Sequence, residues 1–234
     1  MQLCEKYRPR DWEQFIGNEK AIRRVRFTIG APGFGDGGGD VFWISGDSST
    51  GKTSLALLMA RELGATNWAD CVQINGKRFA ARDVDELQGW LHLCANGDSG
   101  WKVAIVDEAH CITDGAAETL LVLLEHLPSK RLVIFTSTCE LAGNLLGPAK
   151  TVTDPYRSRC KCVKLTNQGL CKPLAAWLKQ GATDAGLDGK PVERYERLMK
   201  KHGNNIRACW QEIQQGWGLE DDDAAIDAGE MVTA

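Results

Sequence analysis

An apolar run, Val41–Ser45, leads directly into Gly46-Asp47-Ser48-Ser49-Thr50-Gly51-Lys52-Thr53, and a helical segment, Ser54–Leu63, follows. No other feature of the chain restricts its fold so tightly. A G-x-x-x-x-G-K-T between a strand and a helix is a phosphate loop: glycines let the backbone turn so that its N–H groups meet phosphate oxygens, and the helix presents its positive end to the same anion. On this reading Gly46, Ser49, Thr50, Gly51, Lys52, Thr53 and Ser54 surround the phosphates of ATP. Lys52 bridges the β- and γ-phosphates and the Thr53 hydroxyl holds Mg²⁺. A chance Gly-Lys-Thr turn is the competing reading, and the flanking strand and helix argue against it.

The remainder of the chain fits an α/β fold around such a loop. Short β-rich runs recur at Val41–Ser45, Cys71–Asn75, Lys102–Val106, Leu132–Thr136 and Lys161–Leu165. Helical segments such as Ser54–Leu63, Val84–Leu93 and Ala116–Leu127 separate them. This alternation predicts a five-stranded parallel sheet with helices on both faces. Before it, residues 1–18 read as polar and extended, and Ala21, Ile22, Val25 and Ile29 mark one amphipathic helix. Gly30 to Asp40, with six glycines and one proline, reads as a flexible surface loop. After Thr166 only helices are expected, at Leu170–Gln180, Val192–His202 and Ile206–Gln214. The expected division is a nucleotide-binding domain over 1–165, a small all-helical lid over 166–217 and an acidic, solvated tail over 218–234.

A second motif ends the third strand: Val103-Ala104-Ile105-Val106-Asp107-Glu108-Ala109-His110. An apolar strand that delivers two acids beside a phosphate loop suits metal-assisted hydrolysis. Asp107 orients Mg²⁺ or its water, and Glu108 polarises the water that attacks the γ-phosphate. Taken alone, acids at a strand end are as readily structural; the upstream loop favours the catalytic reading. His110 completes a D-E-A-H sequence. Helicases with that box need a second motor domain for which this chain has no room, so His110 is read as a local hydrogen-bonding residue.

Composition narrows the setting. At 234 residues with 43% apolar and 25% charged residues, the chain has room for one full domain and a small second one. A net charge of -3 exerts no general pull on nucleic acid, so any DNA contact must come from a local basic face. The best such segment is Asn75-Gly76-Lys77-Arg78-Phe79-Ala80-Ala81-Arg82, although acids at Asp83, Asp85 and Glu86 make a solvated helix start equally natural. Nine cysteines without a C-x-x-C are expected to be reduced and largely buried. With no charged-then-apolar leader and no run near the ~20 apolar residues that span a bilayer, a cytoplasmic protein without a membrane partner is expected, or one of the host cytoplasm if the source is viral.

Four motifs in one order resemble the small motor subunits of sliding-clamp loaders, within the AAA+ ATPases. Glu5-Lys6-Tyr7-Arg8-Pro9 and Phe15-Ile16-Gly17-Asn18-Glu19 resemble the family's head, which implies that Tyr7, Arg8, Pro9, Ile16 and Gly17 contact the adenine base. The phosphate loop and the Asp107-Glu108 strand end follow. Tyr156-Arg157-Ser158-Arg159-Cys160 is similar to the family's S-R-C motif, whose arginine reaches a neighbouring subunit's ATP. Arg159 is then an arginine finger acting in trans. The resemblance also implies two sensors. Thr138 stands where the family usually has Asn, and a hydroxyl there can still orient water. Gly203-Asn204-Asn205-Ile206-Arg207-Ala208 resembles a lid motif with one extra residue, placing Arg207 on the γ-phosphate, or Ile206 there if the insertion lies elsewhere. Lys77, Arg78 and Arg82 would line a channel for DNA phosphates.

The resemblance covers residues 5 to about 214 and implies an ATPase subunit in a hetero- or homo-oligomeric ring of AAA+ subunits. Its expected partners are a sliding clamp and primer-template DNA. The family's helical collar has no counterpart in the chain, so the ring is held by partner subunits, or the chain is a shortened relative, such as a viral one, with another cargo. An initiator-type or helicase-loading ATPase and a nucleotide-gated subunit without turnover are the alternatives.

Overall fold

The computed structural model describes residues 2–138, 153–187 and 190–217; the tail expected over 218–234 lies outside them. The described residues form two compact units, one within 9–167 and one made of 2–8 with those described in 168–217.

The larger unit is built on five strands, β1 (Asp40–Ser45), β2 (Cys71–Asn75), β3 (Lys102–Asp107), β4 (Arg131–Ser137) and β5 (Lys161–Lys164). They pair in the order β2-β3-β4-β1-β5, all parallel. Three of the strands are almost continuously apolar because both faces are covered, and their alternate residues enter two separate cores. Val41, Trp43, Ala104, Val106, Val133 and Phe135 pack one way, with Val84, Leu87 and Leu91 of the helix Ala81–His92 and Leu120, Leu123 and Leu124 of the helix Asp114–Glu125. Phe42, Ile44, Val103, Ile105, Leu132 and Ile134 pack the other way, with Ile22, Val25 and Ile29 of the helix Glu19–Ile29 and Leu55, Leu58 and Met59 of the helix Lys52–Glu62.

In chain order the helices are α1 (Leu3–Lys6), α2 (Glu19–Ile29), α3 (Lys52–Glu62), α4 (Ala81–His92), α5 (Asp114–Glu125), α6 (Thr153–Arg159), α7 (Cys171–Asp184), α8 (Val192–Lys201) and α9 (Ile206–Gln214). Two of them depart from expectation. The polar start is not wholly extended, since Leu3–Lys6 is a short helix, and the segment ahead of β5 is helical as α6. Tyr156 secures α6: its fully buried ring meets Trp43 and Phe135 edge-on, and its hydroxyl donates to the Ala117 carbonyl at 2.7 Å. The glycine-rich segment before β1 is also not loose. Phe34 stacks on Trp101 with centroids 5.3 Å apart, and Lys130 N–H donates to the Gly35 carbonyl at 2.9 Å. Gly35 has φ +79°, and a Cβ there would lie 2.3 Å from the Trp101 ring, so this close approach needs glycine.

In the smaller unit α7, α8 and α9 pack with α1. The expected boundary put residues 1–8 with the sheet, but Tyr7 stacks on Trp210 of α9, with centroids 5.1 Å apart and planes 10° from parallel. That aromatic contact draws the start of the chain into the helical unit. Across α8 and α9, Glu212 accepts from Lys201 at 2.8 Å and pairs with His202 at 2.5 Å.

At the amino-terminal edge of the sheet lies a buried polar network. Asp70 is fully buried and accepts from the N–H groups of Asn96 and Gly97, each at 2.8 Å, and from Asn67 Nδ2 at 2.7 Å. Lys102 Nζ lies 4.0 Å from its carboxylate, donates to the Ala69 carbonyl at 2.8 Å and sits 4.1 Å above the Trp90 ring. Arg131 donates to the carbonyls of Leu91, Leu93 and Gly100. Burial alone would raise the Asp70 carboxyl, but the Asn96 amide, the Asn67 side chain, the Gly97 amide and the Lys102 charge outweigh it and hold the group below the ordinary carboxylate value. The stability this contributes is therefore present above the unfolded carboxylate range and is lost as pH falls through the depressed folded value. Removing the acid also strands a buried cation. Asp70→Ala is expected to lower the unfolding free energy by about 3 kcal/mol at pH 7. Urea titrations across pH should show the gap from wild type closing in acid; equal stability at pH 7 would refute the role.

Candidate functional site

The site forms where the carboxyl ends of β1, β3 and β4 meet, since the register pairs Ser45 with Ser137 and Val106 with Phe135. Open α/β sheets bind ligands at this end. The loop after β1 is tied down at both ends. Gly46 N–H donates to the Ser137 carbonyl at 3.2 Å, and the Thr50 hydroxyl donates to the Asp47 carbonyl at 2.9 Å. Ser49 has φ +60°, and Asn167 Nδ2 approaches its carbonyl at 3.4 Å. Gly51 is the N-cap of α3 with φ +90°, and a Cβ there would lie 2.8 Å from Cζ of Phe15. Phe15 thereby seats the head of the larger unit under the loop.

No side chain caps α3 and its first turn carries no acid. The N–H groups of Lys52, Thr53 and Ser54 have no intrahelical acceptor, and the helix dipole adds positive potential, so this end is built for an anion. Lys52, only 8% exposed, donates from Nζ to the carbonyls of Gly46 at 2.8 Å and Asp47 at 2.7 Å. Its charge is thus held over the loop.

Asp107 Oδ1 accepts from two hydroxyls, Thr53 Oγ1 at 2.9 Å and Thr136 Oγ1 at 2.7 Å. One carboxylate and one hydroxyl beside a phosphate loop form a hard-oxygen donor set that suits Mg²⁺, which is usually completed by waters and substrate phosphates. Among the described residues no cluster of three or more His, Cys, Asp or Glu could hold a metal unaided. The next residue, Glu108, is in the left-handed region at φ 55° and ψ 44°. Its side chain is 39% exposed, and Oε2 lies 3.4 Å from Nε2 of His110. His110 also approaches the hydroxyls of Ser137 and Thr138, each at 3.4 Å. One acid is therefore fixed between hydroxyls while its neighbour is open to water, an arrangement suited to a metal ligand next to a base.

Lys52, Thr53, Asp107, Glu108 and Thr138 are thus gathered in one place. The other expected residues lie as follows. Pro9 and Ile16 are half-buried, and Gly17, with φ +76°, precedes Asn18, whose side chain exchanges hydrogen bonds with Thr166. In the helical unit the Tyr7 hydroxyl is buried and has no hydrogen-bond partner among the described residues, Arg8 pairs with Glu5 at 2.6 Å, and Arg207 is exposed in the first turn of α9. Arg159, at the end of α6, pairs with Glu125 at the end of α5 and approaches the Ser158 hydroxyl. Lys77 and Arg78 are exposed on a 3-10 turn, Gly76–Arg78, and Arg82 is exposed one residue into α4, 3.5 Å from Asp83.

Thr136, which bonds Asp107, lies in none of the sequence motifs, and Phe15, quoted in the head motif, was given no part at the loop where it packs against Gly51. A hydroxyl inside the apolar run of β4 was the available signal, since a buried polar group needs a partner.

Comparison with known proteins agrees with this geometry. Residues 42–154 match the family described as ATPase family associated with various cellular activities (AAA). The replication factor C small subunit of Methanocella arvoryzae is 26% identical over 159 residues, covering 67% of this chain and 45% of that protein. Replication factor C subunit 2 of Arabidopsis thaliana is 29% identical over 168 residues, covering 69% and 46%. This chain therefore spans a little under half the length of these relatives. The Holliday junction branch migration motor RuvB of Thermotoga maritima shares the fold, with a TM-score of 0.66 at 21% identity over 89% of this chain and 64% of that one. With its all-parallel β2-β3-β4-β1-β5 sheet and the loop and acids at its carboxyl end, this chain resembles the AAA ATPases over residues 42–154 and is similar in sequence to the small subunits of replication factor C.

Proposed function

We propose that the chain is an ATP-hydrolysing motor subunit of a DNA sliding-clamp loader. The observation that carries the catalytic part is the junction of Asp107 with Thr53 and Thr136 at the mouth of the phosphate loop. In this reading Lys52 and the first-turn amides of α3 bind the ATP phosphates, and Thr53 and Asp107 hold Mg²⁺. Bound there, Mg²⁺ would neutralise charge that builds on the phosphoryl oxygens. Glu108 orients the attacking water and takes its proton. Thr138 stands beside that water and Arg207 senses the γ-phosphate from the lid. Arg159 serves the site of a neighbouring subunit, in a ring with other AAA+ subunits, and Lys77, Arg78 and Arg82 meet the phosphates of primer-template DNA. The likeness to replication factor C subunits supports the assignment to clamp loading.

Two measurements test the reading. Lys52→Ala should abolish ATP binding, whereas Glu108→Gln should bind normally and turn over at least about 100-fold more slowly. Unchanged affinity in the first, or unchanged turnover in the second, would remove that residue from its role. For Arg159, a mixture of Arg159→Ala and Lys52→Ala subunits should recover activity that each lacks alone, because an arginine finger supplied in trans is worth about 10³ or more in rate. Full turnover by dilute Arg159→Ala monomer would contradict the shared site.

A further inference from the structure

We propose that His110 is a positioning residue that sets the Glu108 carboxylate for proton transfer, an inference that rests on the assignment of Glu108 as base. The backbone of Glu108 is already fixed. Its left-handed conformation is held where Gly76 comes so close that a Cβ at residue 76 would lie 2.6 Å from the Glu108 carbonyl oxygen. The side chain is another matter, being a flexible glutamate 39% exposed to solvent. Among the described residues His110 is the one side chain that meets its carboxylate, at 3.4 Å.

His110 can hold that carboxylate only if its own ring is held, and β4 does this. Ser137 Oγ lies 3.4 Å from Nδ1 and Thr138 Oγ1 lies 3.4 Å from Nε2. In the neutral tautomer with hydrogen on Nε2, the ring donates to Glu108 and accepts from the Ser137 hydroxyl. Contacts of 3.4 Å are weak as they stand, and catalytic contacts commonly tighten when substrate is bound. The end of β4 then serves both acids. Thr136 bonds Asp107 directly at 2.7 Å, and the next two residues reach Glu108 through the imidazole.

The test is single-turnover ATP hydrolysis by the full chain at high concentration, with His110 varied in the wild-type and E108Q backgrounds. H110A should slow the chemical step about tenfold, leave ATP affinity within about twofold and leave the melting temperature unchanged; H110Q, whose amide carries both a donor and an acceptor, should recover most of the rate. In the E108Q background H110A should add no further loss, because residues acting through one group are non-additive. An equal loss in both backgrounds, or no loss in either with E108Q itself slow, would overturn the role of His110 alone. Wild-type turnover in E108Q would instead remove Glu108, and His110 with it. If H110A does not fold, H110L, which fills the space of the ring without a donor or an acceptor, takes its place in the same cycle, and the same outcomes decide.

Discussion

One carboxylate oxygen joins three elements that are distant in sequence. Asp107 Oδ1 receives hydroxyls from Thr53 on α3 and Thr136 on β4, and Asp107 itself ends β3. Hydrogen bonds to a charged acceptor contribute about 1.5–3 kcal/mol each, so this junction holds the start of α3 and the end of β4 against the end of β3. It exists because β4 lies between β1 and β3 in the strand order, with Ile44 opposite Thr136 and Val106 opposite Phe135. A slip of one residue in β4 would turn Thr136 into the apolar core and leave Asp107 with a single donor.

The two edges of the sheet are specialised by the kind of polar group each buries. At the amino-terminal edge, Asp70, Lys102 and Arg131 are saturated by backbone groups and by one another, which fixes how β3 and β4 enter the sheet. At the carboxyl edge the polar groups are only partly committed. Lys52 rests on loop carbonyls and Glu108 faces solvent, so both can exchange present partners for phosphate or water. Rigidity at one end lets the other keep reactive groups exposed.

The strands could be read almost residue by residue because each is a short run between turn signals, and in β1, β3 and β4 burial on both faces leaves the apolar pattern uninterrupted. The positions of the loop after β1 and of the Asp107-Glu108 strand end were equally readable, since the chemistry proposed for them demands fixed residue types at fixed spacing. What escaped was set by tertiary contact. α6 has too few apolar positions for a helical period, and it is fixed by Tyr156 inserting against Trp43 and Phe135. The grouping of residues 1–8 with the helical unit depends on Tyr7 meeting Trp210, more than 200 positions away, which no local pattern encodes. The glycines before β1 suggested looseness, whereas Gly35 permits close approach to Trp101 and Gly39 to Leu127. Thr136 looked like an ordinary strand threonine until the register placed it beside Asp107.

The central claim is that the loop after β1 and the acid ending β3 act as one metal–phosphate site. Calorimetric titration of Mg·ATP into wild type, Thr53→Val, Asp107→Ala and the double variant tests it most directly. If both residues serve one cation, each single change should remove most of the affinity that Mg²⁺ adds, and the double change should cost little more than either alone. Strictly additive losses, or a Mg²⁺ contribution that survives in Asp107→Ala, would contradict the account.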